Sequence, residues 1–171
     1  ISERANFLTK HCNIFVNSSD KWLDVTEVRN SRKVGLDIEQ YRGRKAWCGI
    51  DRARVHDITS FSVVIPDEDG GVTVFWVNLL PKNTVEGVGD YLKSIYHKAV
   101  DSGDLRLVMT PTVRDEDVMR VVEEINNFFD IQNFCYDPWH MTEVANTLES
   151  MGYPVMSVSQ GTGNMSEPAK R

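Results

Sequence analysis

Residues 46–51 read AWCGID, a short apolar run that ends in a carboxylate, and the predicted fold builds outward from this run. Two further runs follow, ITSFSVVIP at residues 58–66 and VTVFWVNLL at residues 72–80, with the turn sequence DEDGG between them. Their short lengths, their β-branched content and the flanking glycine and proline favour strands over segments of buried helix. The three runs therefore predict an antiparallel meander joined by tight turns.

Downstream, segments with helical spacing alternate with short apolar runs. A helix is predicted from about Thr84, its N-cap, to Val100, because apolar side chains recur there at helical intervals. After it the pattern predicts, in order, a strand at 105–109, a helix at 115–128, a strand at 131–136, a helix at 141–151 and a strand at 153–158. A meander followed by such crossovers is typical of an α/β fold, here a mixed sheet with helices on both faces.

Two aspartates stand where predicted strands end. Asp51 closes the first strand, and Asp137 follows the strand at 131–136. If these strands are neighbours, the two carboxylates converge and need a cation between them, and oxygen ligands suit Mg²⁺ or Mn²⁺. Two such ions about 4 Å apart can cleave a phosphodiester. Asp57 could join the same cluster or cap its own turn, and the strand-end aspartates could equally be simple turn formers.

The charge of the chain is unevenly distributed. Its 171 residues, the size of one ordinary domain, carry a net charge of −6, which lowers the expectation of a nucleic-acid partner. Residues 1–56, however, hold 11 basic and 7 acidic side chains. Part of that excess is a local cluster that could meet a phosphate backbone or form a solvated loop. Its members are Arg42, Arg44, Lys45, Arg52 and Arg54.

Several other classes of protein lack their signatures here. No apolar run approaches the roughly 20 residues of a membrane helix, and the phosphate-loop pattern of an ATPase motor is absent from the sequence. The three cysteines fit neither a metal-binding pattern nor a disulfide framework, which favours a reducing cytoplasm. The chain starts at Ile1 rather than at Met and stops at Arg171, so we expect a piece of a longer protein.

Pieces of the chain, in this order and spacing, resemble the nuclease region of the large terminase subunit of tailed bacteriophages. The strand that ends at Asp51 resembles the first catalytic strand of that family, and Tyr136–Trp139 resembles the end of the second. The other similar pieces are NIFV at 13–16 with WL at 22–23, HDITS at 56–60, FW at 75–76 with LP at 80–81, TP at 110–111 and MSEPAK at 165–170. These pieces are spread over nearly the whole chain.

The resemblance implies a ribonuclease H-like fold and an endonuclease that cuts double-stranded concatemeric DNA by two-metal hydrolysis with Mg²⁺ or Mn²⁺. By this interpretation Asp51 bridges both ions, Asp137 binds one, and Asp57 is an auxiliary acid. Four cations of the basic cluster would steer the DNA backbone electrostatically. They are Arg44, Lys45, Arg52 and Arg54.

The resemblance also implies boundaries and partners. Residues 1–45 would be a linker or arm after an ATP-driven motor domain that this chain lacks. Residues 46–171 would be the nuclease domain, stopping before the helix that bears the third carboxylate of the family. Double-stranded DNA, the portal and the small terminase subunit are the implied partners, with no membrane, in the host-cell cytoplasm. Arg52 stands where the family often has a small or apolar residue.

Two other hypotheses stay open at this point. One is a non-catalytic ribonuclease H-like module that only docks DNA or the portal, and it is motivated by the missing third carboxylate. The other is a transposase- or resolvase-like nuclease on the same fold, which rests on analogy of fold alone.

Overall fold

The computed structural model describes residues 25–53, 55–159 and 161–165, and the chain divides into two units between Gln40 and Tyr41. In the described part of the first unit, helix α1 spans Val25–Asn30. A 3-10 turn spans Ile38–Tyr41. Residues 1–24 of the predicted arm lie outside the described residues.

The strands predicted from the sequence form one six-stranded mixed sheet. Their bounds are Lys45–Asp51 (β1), Thr59–Pro66 (β2), Val72–Pro81 (β3), Arg106–Val108 (β4), Asp130–Tyr136 (β5) and Val155–Ser157 (β6). The order across the sheet is β4-β3-β2-β1-β5-β6. The predicted meander is confirmed, because β1, β2 and β3 pair antiparallel in sequence. The later strands are parallel, β4 to β3, β5 to β1 and β6 to β5.

The single helix predicted from Thr84 to Val100 is wrong, because the structure has two helices in that segment. Helix α2 spans Lys82–Gly87 and helix α3 spans Asp90–Asp101. The break falls at Val88 and Gly89, which are both extended with ψ angles of 162° and 157°. The glycines on either side of Val88 weaken a helix there, because glycine loses the most backbone freedom on ordering. Thr84, the predicted N-cap, lies inside α2 and is buried.

The remaining helices agree closely with the sequence pattern. Helix α4 spans Asp115–Phe128, as predicted, and α5 spans Thr142–Ser150. A short helix, α6, follows at Thr162–Met165. Within the described residues, no helix has both the length and the apolar content that crossing a membrane would require.

The direction of each crossover decides which face of the sheet its helices cover. Helices α2 and α3 lead from β3 to β4 at one edge, whereas α4 and α5 lead from β4 to β5 and on to β6 at the other. Because crossovers between parallel strands are right-handed, the two pairs of helices lie on opposite faces. Under α2 and α3, Leu80, Val85 and Leu105 form a buried cluster at the β4 end of the sheet.

The main core lies between the sheet and the helices α4 and α5. Every second residue of β1 and β2 is buried on this side, among them Phe61 with no exposed surface. The helices contribute the buried residues Val118, Val121, Val122, Ile125, Val144, Ala145 and Leu148. We call the opposite side of β1, β2 and β5, together with Trp76 of β3, the open face. Trp47 and Trp76 on this face keep 38% and 61% of their surface exposed.

Candidate functional site

The ends of β1 and β5 bring Asp51 and Asp137 to the same place. The two strands are parallel neighbours with Ile50 opposite Tyr136, so the next residue of each chain segment is an aspartate at the same edge of the sheet. Adjacent strands lie about 4.8 Å apart. Along β1, buried residues alternate with residues on the open face, and Asp51 belongs to the second set. Asp137 comes two residues after the half-buried Cys135, so it points to the same face. The predicted convergence of the two acidic strand ends is thus present in the structure.

Both aspartates line a cleft of about 350 Å³ on the open face, which we call the acidic cleft. Its walls come from β1, β2, β3, β5 and the residue after β6. The lining residues are Gly49, Ile50, Asp51, Ser60, Ser62, Trp76, Cys135, Tyr136, Asp137 and Val158. Among the residues that the structure describes, this lining holds two carboxylates and no lysine, arginine or histidine. Two carboxylates without a basic partner, together with hydroxyl oxygens, are a donor set that suits a hard divalent cation such as Mg²⁺ or Mn²⁺.

Hydrogen bonds across the meander fix the floor of the acidic cleft. Asp51 pairs in register with Ser60, and Ser60 pairs with Asn78 on β3. The Ser60 hydroxyl donates to Asn78 Oδ1 at 2.7 Å, and Asn78 Nδ2 donates to the Asp104 carbonyl at 2.9 Å. The polar floor beside Asp51 is therefore held by bonds within the protein, which pre-orders it for a ligand.

Gly49 keeps the middle of the cleft shallow. A Cβ atom at this position would lie 2.8 Å from Ser62 Oγ, closer than two such atoms can approach. The Ser62 hydroxyl also reaches back to the Gly49 carbonyl at 3.5 Å. A side chain on Gly49 would thus displace Ser62 and fill the floor between the two strands.

The loop after Asp137 is anchored by the aspartate itself. Asp137 Oδ1 accepts a hydrogen bond from the backbone N–H of Trp139 at 2.8 Å, an Asx-type turn. Two residues of the turn have restricted backbones, Pro138 by its ring and His140 by a left-handed φ of 60°. The bond uses one carboxylate oxygen of Asp137, so the side chain is oriented at the mouth of the acidic cleft.

Asp57 does not line the acidic cleft. It is exposed in the turn before β2, and its Oδ1 accepts the backbone N–H of Ile58 at 2.7 Å, which matches the alternative of a turn cap. Among the residues that the structure describes, no group of three or more histidine, cysteine, aspartate or glutamate side chains could hold a metal ion. Asp51 and Asp137 are therefore two candidate ligands, and no third acidic side chain joins them in the described part of the chain.

Arg52 is committed to protein partners rather than presented to solvent. Its side chain is 14% exposed, and its Nη2 forms an ion pair with Asp115 at the start of α4. Its Nη1 donates to the carbonyl oxygen of His140 at 3.1 Å. This geometry gives no support to the predicted contact between Arg52 and a DNA backbone. Arg54, another predicted contact, lies outside the described residues.

The other predicted backbone contacts stand at the far end of β1. Lys45 begins the strand that Asp51 ends, so an extended chain separates them by about 20 Å. Arg44 precedes Lys45, donates to the Pro66 carbonyl at 2.7 Å, and lies over the Tyr41 ring with its guanidinium carbon 5.5 Å from the ring centre. Arg44 and Lys45 therefore lie at one end of β1, and Arg52 lies at the other.

Sequence analysis missed the apolar and thiol parts of the cleft. Cys135 lines it two residues before Asp137, and strand alternation back from that aspartate could have indicated it. Burial raises the pKa of the Cys135 thiol, so it faces the cleft in its neutral form at ordinary pH. Trp76 could have been found from the register of the meander, which places it beside Ser62.

A mixed sheet of this strand order, with paired carboxylates at adjacent strand ends, defines the chain as a ribonuclease H-like α/β protein with an acidic cleft. The sequence model of the family described as "Terminase large subunit, endonuclease domain" matches residues 2–171, and the chain belongs to this family. The resemblance found in the sequence is therefore confirmed. Membership of this family argues against the transposase- or resolvase-like alternative.

Comparison with solved structures supports the fold. The crystal structure of the HK97 bacteriophage large terminase is similar, with a TM-score of 0.64 and 23% identity over 75% of this chain. The matched part is 27% of that terminase, so the chain spans about a quarter of its length. No curated protein matches the chain.

Proposed function

We propose that this chain is a divalent-metal-dependent endonuclease that cuts concatemeric double-stranded DNA during phage genome packaging. The observation that carries the proposal is the meeting of Asp51 and Asp137 on the open face, in a cleft whose described lining residues include no basic side chain. Membership of the terminase endonuclease family supports the DNA substrate. The catalytic residues in this proposal are Asp51 and Asp137.

The donor geometry suggests how the work is divided. Asp51 is exposed at the end of a strand that is bonded on both sides, so its carboxylate could be shared by two cations. Asp137 is half-buried and one of its carboxylate oxygens is bonded to its own turn, which suits it to hold one cation. Asp57 has a subsidiary role at most, since its carboxylate is engaged outside the cleft. When bound, a pair of Mg²⁺ or Mn²⁺ ions supplies an activated water and stabilises the leaving oxygen.

The rest of the cleft shapes the approach of the substrate. Gly49 leaves a shallow floor where a phosphate backbone could come close to Asp51. Trp76 forms an exposed apolar wall on the side of β3. Arg44 and Lys45 stand about 20 Å away, so they could meet the same duplex only where it runs along the strand direction.

The proposal extends to the whole protein of which such a chain is part. In the family interpretation, an ATP-driven motor, the portal and the small terminase subunit act together with this domain. The site of action would be the host-cell cytoplasm, at the portal of the procapsid. Membership of the terminase large subunit family supports this part of the proposal.

Cleavage of a supercoiled plasmid in Mn²⁺ or Mg²⁺ tests the proposed activity. We expect Asp51→Asn and Asp137→Asn each to lower the cleavage rate by about 100-fold or more, because each removes a charge at the reacting centre. Asp130→Asn is the matched control, since this exposed aspartate lies at the opposite end of the same strand as Asp137. Unchanged cleavage by both cleft variants would refute the proposal.

The second candidate is a non-catalytic module that only docks DNA or the portal. It is favoured by the lack of a third acidic ligand among the described residues. Titration with Mn²⁺ separates the two functions, because a docking module has no need of a cation at Asp51. Mn²⁺ binding that Asp51→Asn abolishes supports the nuclease, and its absence in the unaltered chain supports the docking module.

A further inference from the structure

The guanidinium of Arg52 joins three parts of the molecule. Arg52 follows Asp51 directly, so in an extended chain its side chain points away from the open face, towards the helices. There it pairs with Asp115, the first residue of α4, and donates to the carbonyl of His140. With these partners it lines a second cleft, of about 500 Å³, and no described residue lines both this cleft and the acidic cleft.

The contact with His140 matters because His140 lies within the turn that follows Asp137. The turn is held by the bond from the Trp139 N–H to the Asp137 carboxylate and by the bond from the Met141 N–H to the Pro138 carbonyl at 3.4 Å. The bond from Arg52 to the His140 carbonyl ties the same turn to the residue after β1. The residue after one cleft aspartate therefore holds the turn after the other.

The position of the Arg52 side chain excludes simpler roles. Only 14% of it is exposed, and both its bonds go to protein atoms, so it is poorly placed to grip a phosphate. An arginine can make both bonds at once, since its planar guanidinium offers several donors in a fixed fork. The ion pair with Asp115 keeps the fork oriented towards the turn.

We infer that Arg52 is a positioning residue that fastens the turn after Asp137 to the end of β1 and so sets the spacing of the two cleft carboxylates. This inference rests on the proposed function of Asp51 and Asp137 as metal ligands. Groups that orient metal ligands typically change metal affinity when they are removed, although they do not touch the metal.

The test uses three variants of the full chain. Arg52→Gln and Arg52→Lys alter the proposed positioning residue, and Arg106→Gln is the control. Arg106 also pairs with α4, through Glu124, but on the β4 side of the sheet and with both side chains about half exposed. Two quantities are measured for each variant. One is the dissociation constant for Mn²⁺ by calorimetry, and the other is hydrogen exchange of the amides in residues 137–141.

We expect Arg52→Gln to raise the Mn²⁺ dissociation constant about tenfold and to speed exchange in residues 137–141. Arg52→Lys should fall between Arg52→Gln and the unaltered chain, because lysine keeps the charge but loses the fork. Arg106→Gln should change neither quantity. If Arg52→Gln fails to fold, Asp115→Asn replaces it, with the same directions expected and a smaller size.

Different results would refute the positioning role of Arg52 and the proposed metal site. Unchanged exchange in residues 137–141 of the glutamine variant overturns the positioning role. The positioning role is also overturned if Arg52→Gln binds Mn²⁺ with a dissociation constant within about twofold of the unaltered value while Asp51→Asn abolishes binding. If Asp51→Asn binds Mn²⁺ normally, or the unaltered chain binds none, the proposed function fails instead, and hydrogen exchange alone then decides the role of Arg52.

Discussion

We expect Gly49→Ala to lower the free energy of unfolding when residue 62 is serine and to raise it when residue 62 is alanine. The new Cβ would lie 2.8 Å from Ser62 Oγ and 4.0 Å from the Ser62 carbonyl, with no other atom within 4 Å. Overpacking of this kind costs about 1–3 kcal/mol. Against it, alanine is favoured over glycine in a strand interior by about 0.5–1 kcal/mol. Gly49→Ala alone should therefore lower the free energy of unfolding by up to about 2.5 kcal/mol.

In a Ser62→Ala background the clash is removed and the backbone advantage remains. The same Gly49→Ala change should then raise the free energy of unfolding by about 0.5–1 kcal/mol. The lost bond from Ser62 to the Gly49 carbonyl is long, 3.5 Å, and contributes little to this balance. Urea denaturation of the four proteins of this double-mutant cycle gives both values. An effect of the same sign and size in both backgrounds would refute the steric explanation.

Three further predictions concern the thiols, the core and the basic cluster. Burial raises the pKa of the Cys48 thiol from 9.0 to about 12, so the unfolded chain ionises first as pH rises above 9. The free energy of unfolding should then fall between pH 9 and 12 by up to about 1.4 kcal/mol per pH unit. Cys48→Ala should flatten that decline in urea titrations, and an equally steep decline would contradict the assignment. Phe134→Ala should cost about 3–5 kcal/mol because this side chain has 0% exposure, whereas Trp76→Ala, at 61%, should stay within about 0.5 kcal/mol. Equal thermal shifts for these two variants would argue against the distinction between core and open face. Lys45→Gln should leave the rate of plasmid cleavage at saturating DNA unchanged, because Lys45 and Asp51 lie at opposite ends of β1. A clear drop in that rate would show that the duplex extends along the sheet as far as Lys45.

The first three strands were predictable because each is a short apolar run, and the second and third are also rich in β-branched residues and flank a glycine-rich turn. In β2, buried and half-buried residues alternate from Thr59 to Ile65, as in a strand with one face on the core. The break between α2 and α3 was missed because the apolar spacing continues across Val88. Periodicity reports which face of a segment is apolar, and it does not report where the backbone leaves the helix.

The candidate site was predictable only in its acidic part. The prediction that Asp51 and Asp137 converge required one assumption, that their strands are neighbours. The parallel pairing of β1 with β5 satisfies this assumption. The basic cluster misled, since nearness in sequence becomes about 20 Å when a strand is extended between Lys45 and Asp51. The partners of Arg52 lie 63 and 88 residues away, so no local pattern could indicate them.

The two cleft aspartates are carried by backbones of different stiffness. Asp51 ends the central strand, which is bonded to β2 on one side and to β5 on the other, whereas Asp137 opens a turn held by a few individual bonds. Regions held by few bonds open more readily than central strands. A cation with longer bonds, such as Ca²⁺ at about 2.3–2.6 Å against about 2.0–2.1 Å for Mg²⁺, would then be accommodated by movement of Asp137 alone. Cations of different radius would thus be distinguished by the position of Asp137, while Asp51 stays in the same place.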